Sequence, residues 1–336
     1  MNKITIDSPL DMHLHIRDGE MMENIIRYST TNFSGALIMP NTIPPLTSRQ
    51  EILDYRDRIL TAKKDDIFKP YMSIFFKNTY DYDFLNSIKD IILVVKLYPS
   101  GVTTNSEGGV VSVNLDEVGE TLSAMEKLGI TLSIHGETMG STFEREAEFL
   151  PTYELLAKTF PKLKIIMEHI SDRRTVALLD KYPNLYATVT LHHLTITFDD
   201  ILGGALKPHL FCKPIVKGSA DREALQKLVF SGNPKVMFGS DSAPHPQDKK
   251  ENKNGSAGIF SAPVLLPKIV ELFDKNGKLE LLQNYLSNNA KRIYGINPPK
   301  KTITLEKKSM KVSETYGKVI PIFAGEEIEW SLIGNE

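Results

Sequence analysis

The sequence predicts a (β/α)8 barrel with a small C-terminal appendage, and three observations carry that reading. Short apolar runs rich in β-branched residues alternate with longer amphipathic stretches, which implies right-handed crossovers and a parallel sheet. Eight such runs occur in 336 residues, the strand number and approximate length at which a parallel sheet closes on itself. The Gly-rich turn that usually follows the first strand of an open, doubly wound sheet is missing, so that architecture ranks second.

The elements follow in order. Strand 11–15 leads into a helical pattern over 20–32, strand 36–39 into helix 49–63, strand 71–76 into helix 82–90, and strand 91–97 into helix 114–128. Strand 130–135 precedes helix 142–160, strand 163–169 precedes helix 173–181, and helix 221–230 lies between strands 185–190 and 235–240. Helices 264–275 and 279–294 complete the barrel. The apolar runs are short enough for buried strands. Two polar loops break the rhythm. The Gly-rich segment 99–111 is either a surface connection or an active-site lid, and 245–257 directly follows the last strand. After residue 297 the chain opens on Pro298-Pro299-Lys300-Lys301 and reads as short strands at 302–305 and 328–332. The expected division is a barrel over 1–297 and an extension over 298–336 packed on it.

Composition excludes several classes. Forty basic side chains against 42 acidic ones leave a formal charge of -2, so neither a nucleic-acid partner nor a disordered acidic tail is advertised. One cysteine, Cys212, rules out an internal disulfide and fits a reducing compartment. The N-terminus lacks the apolar core of a signal peptide. No stretch approaches the ~20 apolar residues of a membrane-spanning helix. A soluble, cytoplasmic protein acting on a small molecule is expected, with no membrane or nucleic-acid partner.

The histidines are the strongest chemical signal. His13 and His15 lie on the first strand, His135 ends the fifth, His169 ends the sixth, and Asp241 follows the eighth. In a closed barrel these ends form one rim, where barrel enzymes carry their active sites. Residues i and i+2 of a strand face the same way, with Cα atoms ~6.5 Å apart, close enough to share an ion at ~2.0–2.1 Å per nitrogen. An isolated pair would more often be half-buried histidines bonded to backbone carbonyls. Arg17, continuing that face, and three more candidate ligands at strand ends favour the metal.

Lys96 closes an apolar strand. It could pair with a carboxylate or snorkel to solvent. Less often, such a lysine has a depressed pKa and takes up CO₂, giving an anionic carbamate with two oxygens to bridge two ions. His192 and His193 are adjacent, so at most one should point inward. They read as structural or as neighbours of the ligands, and His209 reads as structural. Glu137 and Glu168 could orient a ligating imidazole, but Glu168 precedes His169 on a strand and is expected to point away.

Asp11-Met12-His13-Leu14-His15-Ile16-Arg17-Asp18-Gly19, Met39-Pro40-Asn41, Lys96-Leu97-Tyr98-Pro99, Thr103-Thr104-Asn105-Ser106, His135-Gly136-Glu137, Glu168-His169-Ile170 and Gly239-Ser240-Asp241-Ser242-Ala243-Pro244-His245 occur in one order. Over nearly the whole chain they resemble the bacterial, pyrimidine-pathway dihydroorotases of the amidohydrolase superfamily. The resemblance implies a TIM barrel of the metal-dependent hydrolase type with two Zn²⁺ ions per chain. His13, His15, Asp241 and Lys96, as N6-carboxylysine, would hold one ion. Carboxylated Lys96, His135 and His169 would hold the other. A hydroxide would bridge them, and Asp241 would be the general acid and base. Arg17, Asn41 and His245 would hold the substrate carboxylate. The backbone of Leu210 and Ala257 would contact its ring, with Thr103 and Thr104 on a lid.

The implied reaction is the reversible cyclisation of N-carbamoyl-L-aspartate to dihydroorotate and water, in de novo pyrimidine synthesis. The implied assembly is a homodimer. Two rivals differ in kind. A hydantoinase- or dihydropyrimidinase-like cyclic amidase would share the metal ligands without the Arg17, Asn41 and His245 clamp. A non-catalytic dihydroorotase-like scaffold subunit would have lost ligands, whereas here every position is filled.

Overall fold

The computed structural model describes residues 2–335. In chain order its strands are β1 (Lys3–Asp7), β2 (Leu10–Leu14), β3 (Gly35–Ile38), β4 (Lys69–Tyr71), β5 (Ser73–Phe75), β6 (Val94–Leu97), β7 (Thr131–Ile134), β8 (Ile165–Met167), β9 (Leu185–Val189), β10 (Val236–Phe238), β11 (Thr302–Glu306), β12 (Met310–Lys311), β13 (Glu327–Ile328) and β14 (Ser331–Asn335). β2, β3 and β4 pair in parallel, and β5 to β10 pair in parallel in sequence order. Only Met72 separates β4 from β5, so one segment passes its pairing from β3 to β6. Across that break Leu93 N donates to Met72 O at 2.7 Å. At the other edge Leu14 and Ser242 form a parallel bridge. There Asp241 N donates to His13 O at 2.8 Å, and His15 N donates to Ser242 O at 3.2 Å. Both edges are thus joined, and eight staves run in one ring, as the alternation predicts.

Alternation along each strand sorts the side chains. Leu10, Met12, Leu37, Val94, Ile166 and Met237 share one buried cluster with Ala290 and Ile293 of the helix Asn289–Tyr294. That helix closes the N-terminal end of the barrel. Lys164 Nζ, just before β8, donates to Ile293 O at 2.7 Å, and Asn289 Nδ2 donates to Val236 O at 2.7 Å. Ile38, Val95, Leu97, Ile134 and Val189 face outward into the larger core beneath the helices. Burying each such side chain stabilises by roughly 1.5–3 kcal/mol. The outer helices start where capping chemistry permits. Ser48 and Glu51 form a reciprocal capping box for Arg49–Ala62, and Asn114 caps Leu115–Leu128, which ends on left-handed Gly129.

Several expectations need adjustment. The 20–32 pattern divides into Glu20–Ile25 and Arg27–Thr30. The 279–294 pattern holds a 3-10 turn at Leu279–Leu281 and a π-helical stretch at Asn284–Asn288 before its α-helix. The expected strand 328–332 is split. Ile328 pairs in β13 with β12, and Leu332 pairs in β14 with β11. Between them Trp330 is fully buried, and its Nε1 donates to Asp274 Oδ2 at 3.1 Å. Sending an indole into the core takes the chain out of the pleat. β1 had not been anticipated. It pairs antiparallel with β11, so the outer three-stranded sheet takes strands from both ends of the chain.

Trp330→Ala should lower the free energy of unfolding by about 3–5 kcal/mol in urea titrations, because a buried indole leaves a cavity. Trp330→Phe should cost clearly less, about 1–2 kcal/mol. An Ala variant as stable as the parent would show that Trp330 does not anchor the appendage.

Candidate metal centre

Four local devices bring the predicted ligands inward. β2 carries one more residue than β3 between Asp11 and Leu14, a bulge that shifts the register. The extra residue re-phases the alternation, so His13 and His15 face the rim cluster while Leu14 stays in the outer core. Lys96 needs no such device, because it lies two residues after inward Val94 on β6. His135 follows β7, its N–H held by Leu97 O at 3.0 Å. His169 and Asp241 both have positive φ, 38° and 45°. Non-glycine residues are held there only by a surrounding structure that over-determines them. Gly239 permits the close approach. A Cβ there would lie 2.9 Å from His13 Cβ and 3.1 Å from Thr188 Cβ.

The six predicted ligands converge. Asp241 Oδ1 lies 3.1 Å from His15 Nε2 and 3.6 Å from His13 Nε2, and these three groups are spaced to hold one ion. His135 Nδ1 faces His169 Nε2 at 3.1 Å, so two imidazoles aim at a common point. The His169 ring centroid is 4.8 Å from those of both His13 and His135. Lys96 is fully buried, 5.0 Å from the Tyr98 ring centroid, and its Nζ has no hydrogen-bond partner among the described residues. His169 Nδ1 is likewise unpaired. Buried polar atoms are rarely left unpaired, and this donor set of imidazoles and a carboxylate suits a divalent ion.

The electrostatics favour deprotonated ligands. Burial pushes His15 down to about 4, although Asp241 opposes it. Burial, reinforced by His135, His13 and Lys96, holds His169 well below the usual imidazole range. Burial alone would raise Asp241, but the hydrogen bond and charge of His15, with His13, hold its carboxyl far below the ordinary value. Burial pushes the Lys96 ammonium down to about 8, against the pull of Glu168 and Asp241.

The predicted substrate residues surround this cluster. Arg17 lies in the loop after β2 rather than on the strand. Its Nε donates to Pro244 O at 3.2 Å, and its Nη2 meets His245 Nε2 at 3.1 Å. Arg17 lines a cavity of about 160 Å³ beside the candidate ligands, bounded also by His15, Asn41 and Asn105. Burial, with Arg17 beside it, pushes His245 down to about 3. Asn41 Nδ2 donates to Thr104 O at 3.0 Å, and Asn105 Nδ2 returns a bond to Asn41 O at 3.0 Å. Thr103 N is held by Ser106 Oγ at 3.1 Å. Thr104 Oγ1 reaches Ala257 O at 3.3 Å, so segment 99–111 crosses the mouth. Leu210 ends a 3-10 turn, and Ala257 is brought beside it by Gly258 N donating to Phe211 O at 2.9 Å.

Glu168 corrects the expectation that it points away. It follows inward Ile166 by two residues. Its Oε2 bonds His13 Nδ1 at 2.8 Å and Thr188 Oγ1 at 2.6 Å, and its Oε1 bonds Ser133 Oγ at 2.5 Å. The positive φ at His169 is what lets both neighbours turn inward. Glu137 meets His135 Nε2 at 2.7 Å, as a carboxylate orienting an imidazole does. His192 and His193 are both buried, because Leu191–Thr195 is a short helix and not a strand end. His209 Nε2 pairs with Glu251 at 2.8 Å. The sequence reading missed two residues. Asp11 accepts from Ser240 N at 2.7 Å and His13 N at 3.1 Å. Buried Lys250 donates to Phe211 O at 2.9 Å and Gly258 O at 2.7 Å. The Asp two residues before the histidine pair was a signal for the first, but Lys250 sits in a run of charges that reads as solvated.

Lys96 gives a pH test on metal-free protein. Its folded value of about 8 lies below the ordinary 10.5, so the unfolded chain binds more protons between those values and stability rises with pH across that window. Below it both states are protonated, and the folded state bears the full cost of a buried ammonium. Metal-free Lys96→Met should therefore be more stable than the parent near neutral pH, by on the order of 3 kcal/mol. Urea titrations should show the difference shrinking as pH rises through 8 towards 10.5. A pH-independent difference would contradict the assignment.

The family described as "Amidohydrolase" matches residues 88–296. A dihydroorotase of Helicobacter hepaticus is 44% identical over 335 residues, covering 98% of this chain and 97% of that protein. The crystal structure of dihydroorotase from Campylobacter jejuni matches with a TM-score of 0.95 at 50% identity, covering 99% of this chain and 98% of that one. The Saccharomyces cerevisiae dihydroorotase, solved in complex with 5-fluoroorotic acid, matches with a TM-score of 0.92 at 31% identity over 99% of both chains. With this likeness spanning nearly the whole chain, the chain belongs to the dihydroorotase family of amidohydrolases.

Proposed function

We propose that this chain is a dihydroorotase that interconverts N-carbamoyl-L-aspartate and dihydroorotate in pyrimidine biosynthesis, using two Zn²⁺ ions. The observation that carries the reading is the juxtaposition at one rim of six ligand groups with the Arg17–His245 pair. His13, His15 and Asp241 would hold one ion, His135 and His169 the other, and Lys96 as a carbamate would join them. The unpaired buried Lys96 Nζ supports that modification, because a carbamate forms from the neutral amine and Lys96 is pushed towards neutrality by burial. Bound there, the metal pair would supply an acidified water and polarise the amide carbonyl.

The remaining work falls to side chains. Arg17 Nη1 has no protein partner among the described residues, which leaves a donor free for the substrate carboxylate. The planar guanidinium matches such a group. His245 and the second N–H of Asn41 would complete the clamp. The backbone at Leu210 and Ala257 would meet the ring, with the two segments pinned together by Gly258 N and Lys250. Thr103 and Thr104 would sit over the substrate and exclude water. Asp241 would move the proton. In hydrolysis its carboxylate takes the proton of the attacking water and delivers it to the leaving ring nitrogen, and cyclisation reverses the order. Among the described residues no helix is long and apolar enough to cross a membrane. A cytoplasmic homodimer fits the single cysteine and the prevalence of two-fold assemblies.

The deciding assay compares dihydroorotate with dihydrouracil, which lacks the carboxylate. Turnover of the first and not the second supports the reading, and the reverse would favour a dihydropyrimidinase-like enzyme. Arg17→Met should lower kcat/KM for dihydroorotate by about 100-fold or more, since losing one partner of a desolvated charge pair costs about 2–5 kcal/mol. Metal content should be unchanged. Loss of metal in that variant would show that Arg17 supports the ion site itself.

A further inference from the structure

We propose that the chain holds a third, sulfur-containing metal site, formed by His192, His193 and Cys212 with the Pro214 carbonyl, for a borderline-soft ion of the Zn²⁺ type. The three side chains are fully or almost fully buried, and one donor atom from each lies within 4.8 Å of the others. They come from two segments of the β9–β10 connection. His192 and His193 sit on the short helix Leu191–Thr195, and Cys212 follows the turn Pro208–Leu210.

One observation points to a cation, and a second shows how it would be held. Both ring nitrogens of His192 are buried with no hydrogen-bond partner among the described residues, although an imidazole in a dry interior ordinarily finds at least one. Two protons also converge on a single acceptor. His193 Nε2 meets Pro214 O at 3.1 Å, and Cys212 Sγ donates to the same oxygen at 3.2 Å. A divalent ion in their place would bind the nitrogen, the sulfur and the carbonyl at once, with His192 as fourth ligand. Tetrahedral bonds of the usual length set such donors about 3.4–3.8 Å apart, so the cluster needs only modest contraction.

The chemistry balances. Burial depresses both imidazoles, His192 to about 4, so both are neutral donors. Burial pushes the Cys212 thiol up to about 12, while a backbone hydrogen bond with Val216 opposes it. The free thiol therefore keeps its proton until a metal displaces it, and each ion bound releases that one proton. The proton on His193 Nε2 moves to Nδ1, where Thr190 Oγ1 already lies 2.8 Å away to accept it. The ion would tie the helix after β9 to the segment next to Leu210.

The chain's single cysteine makes the test specific. The rim ligands contain no sulfur, so a thiolate-to-Co(II) charge-transfer band can arise only at Cys212. Full-length apoprotein titrated with Co²⁺ should develop visible bands as the rim fills and a near-ultraviolet thiolate band with a further equivalent. Cys212→Ser should lose the thiolate band and keep the visible ones. His192→Gln, which retains the thiol, should weaken the further equivalent by about tenfold or more. A parent chain that saturates without a thiolate band overturns the proposal, as does unchanged affinity in His192→Gln. Neither result touches the dihydroorotase reading, which the rim bands and turnover test separately.

Discussion

The rim depends on how the barrel is closed between its first and last staves. There the sheet is joined by two backbone hydrogen bonds and one carboxylate. Asp11 Oδ1 accepts from the N–H of His13 and of Ser240, and its Oδ2 accepts from the Ser240 hydroxyl at 2.5 Å. One buried side chain therefore fixes both the bulge that re-aims His13 and His15 and the turn that presents Asp241. Without the bulge His13 would face the helices. Without the seam, Asp241 and the two histidines would not share a point in space.

Gathering these groups works against stability. Lys96 Nζ and His169 Nδ1 are buried without partners among the described residues, and two of the candidate ligands hold left-handed backbone. The apolar layers on either side of the strands offset the cost, and the helix Asn289–Tyr294 seals the end where no chemistry is needed. Glu168 and Glu137 reduce it further. Each engages the outward nitrogen of one imidazole, His13 or His135, and so turns the other nitrogen towards the rim. The cluster is thus preorganised for cations before any arrive.

The period-2 and helical patterns made the eight staves and most outer helices legible, because burial on one side leaves a regular trace. The convergence of the candidate ligands was legible too, since His13, His15, His135, His169 and Asp241 all end or follow strands. What stayed hidden was set by backbone departures from regularity. A one-residue bulge in β2 and positive φ at His169 and Asp241 leave no compositional mark on non-glycine residues. Strict alternation therefore misjudged Glu168, and the helix Leu191–Thr195 buries both His192 and His193 where a strand end would bury one. β1 escaped notice because its partner β11 lies at the other end of the chain. Trp330 divided what reads as one strand, since an indole gains more by burial than by staying in the pleat.

The proposed chemistry turns on whether Lys96 joins two metal ions as a carbamate. A crystal structure of the protein grown with Zn²⁺ and bicarbonate, with anomalous data at the zinc edge, tests it most directly. Two anomalous peaks are expected at the rim, one beside His13, His15 and Asp241 and the other beside His135 and His169. Density for one CO₂ on Lys96 Nζ should lie between them. An unmodified Lys96 ammonium paired with a carboxylate in a metal-loaded, active crystal would contradict it.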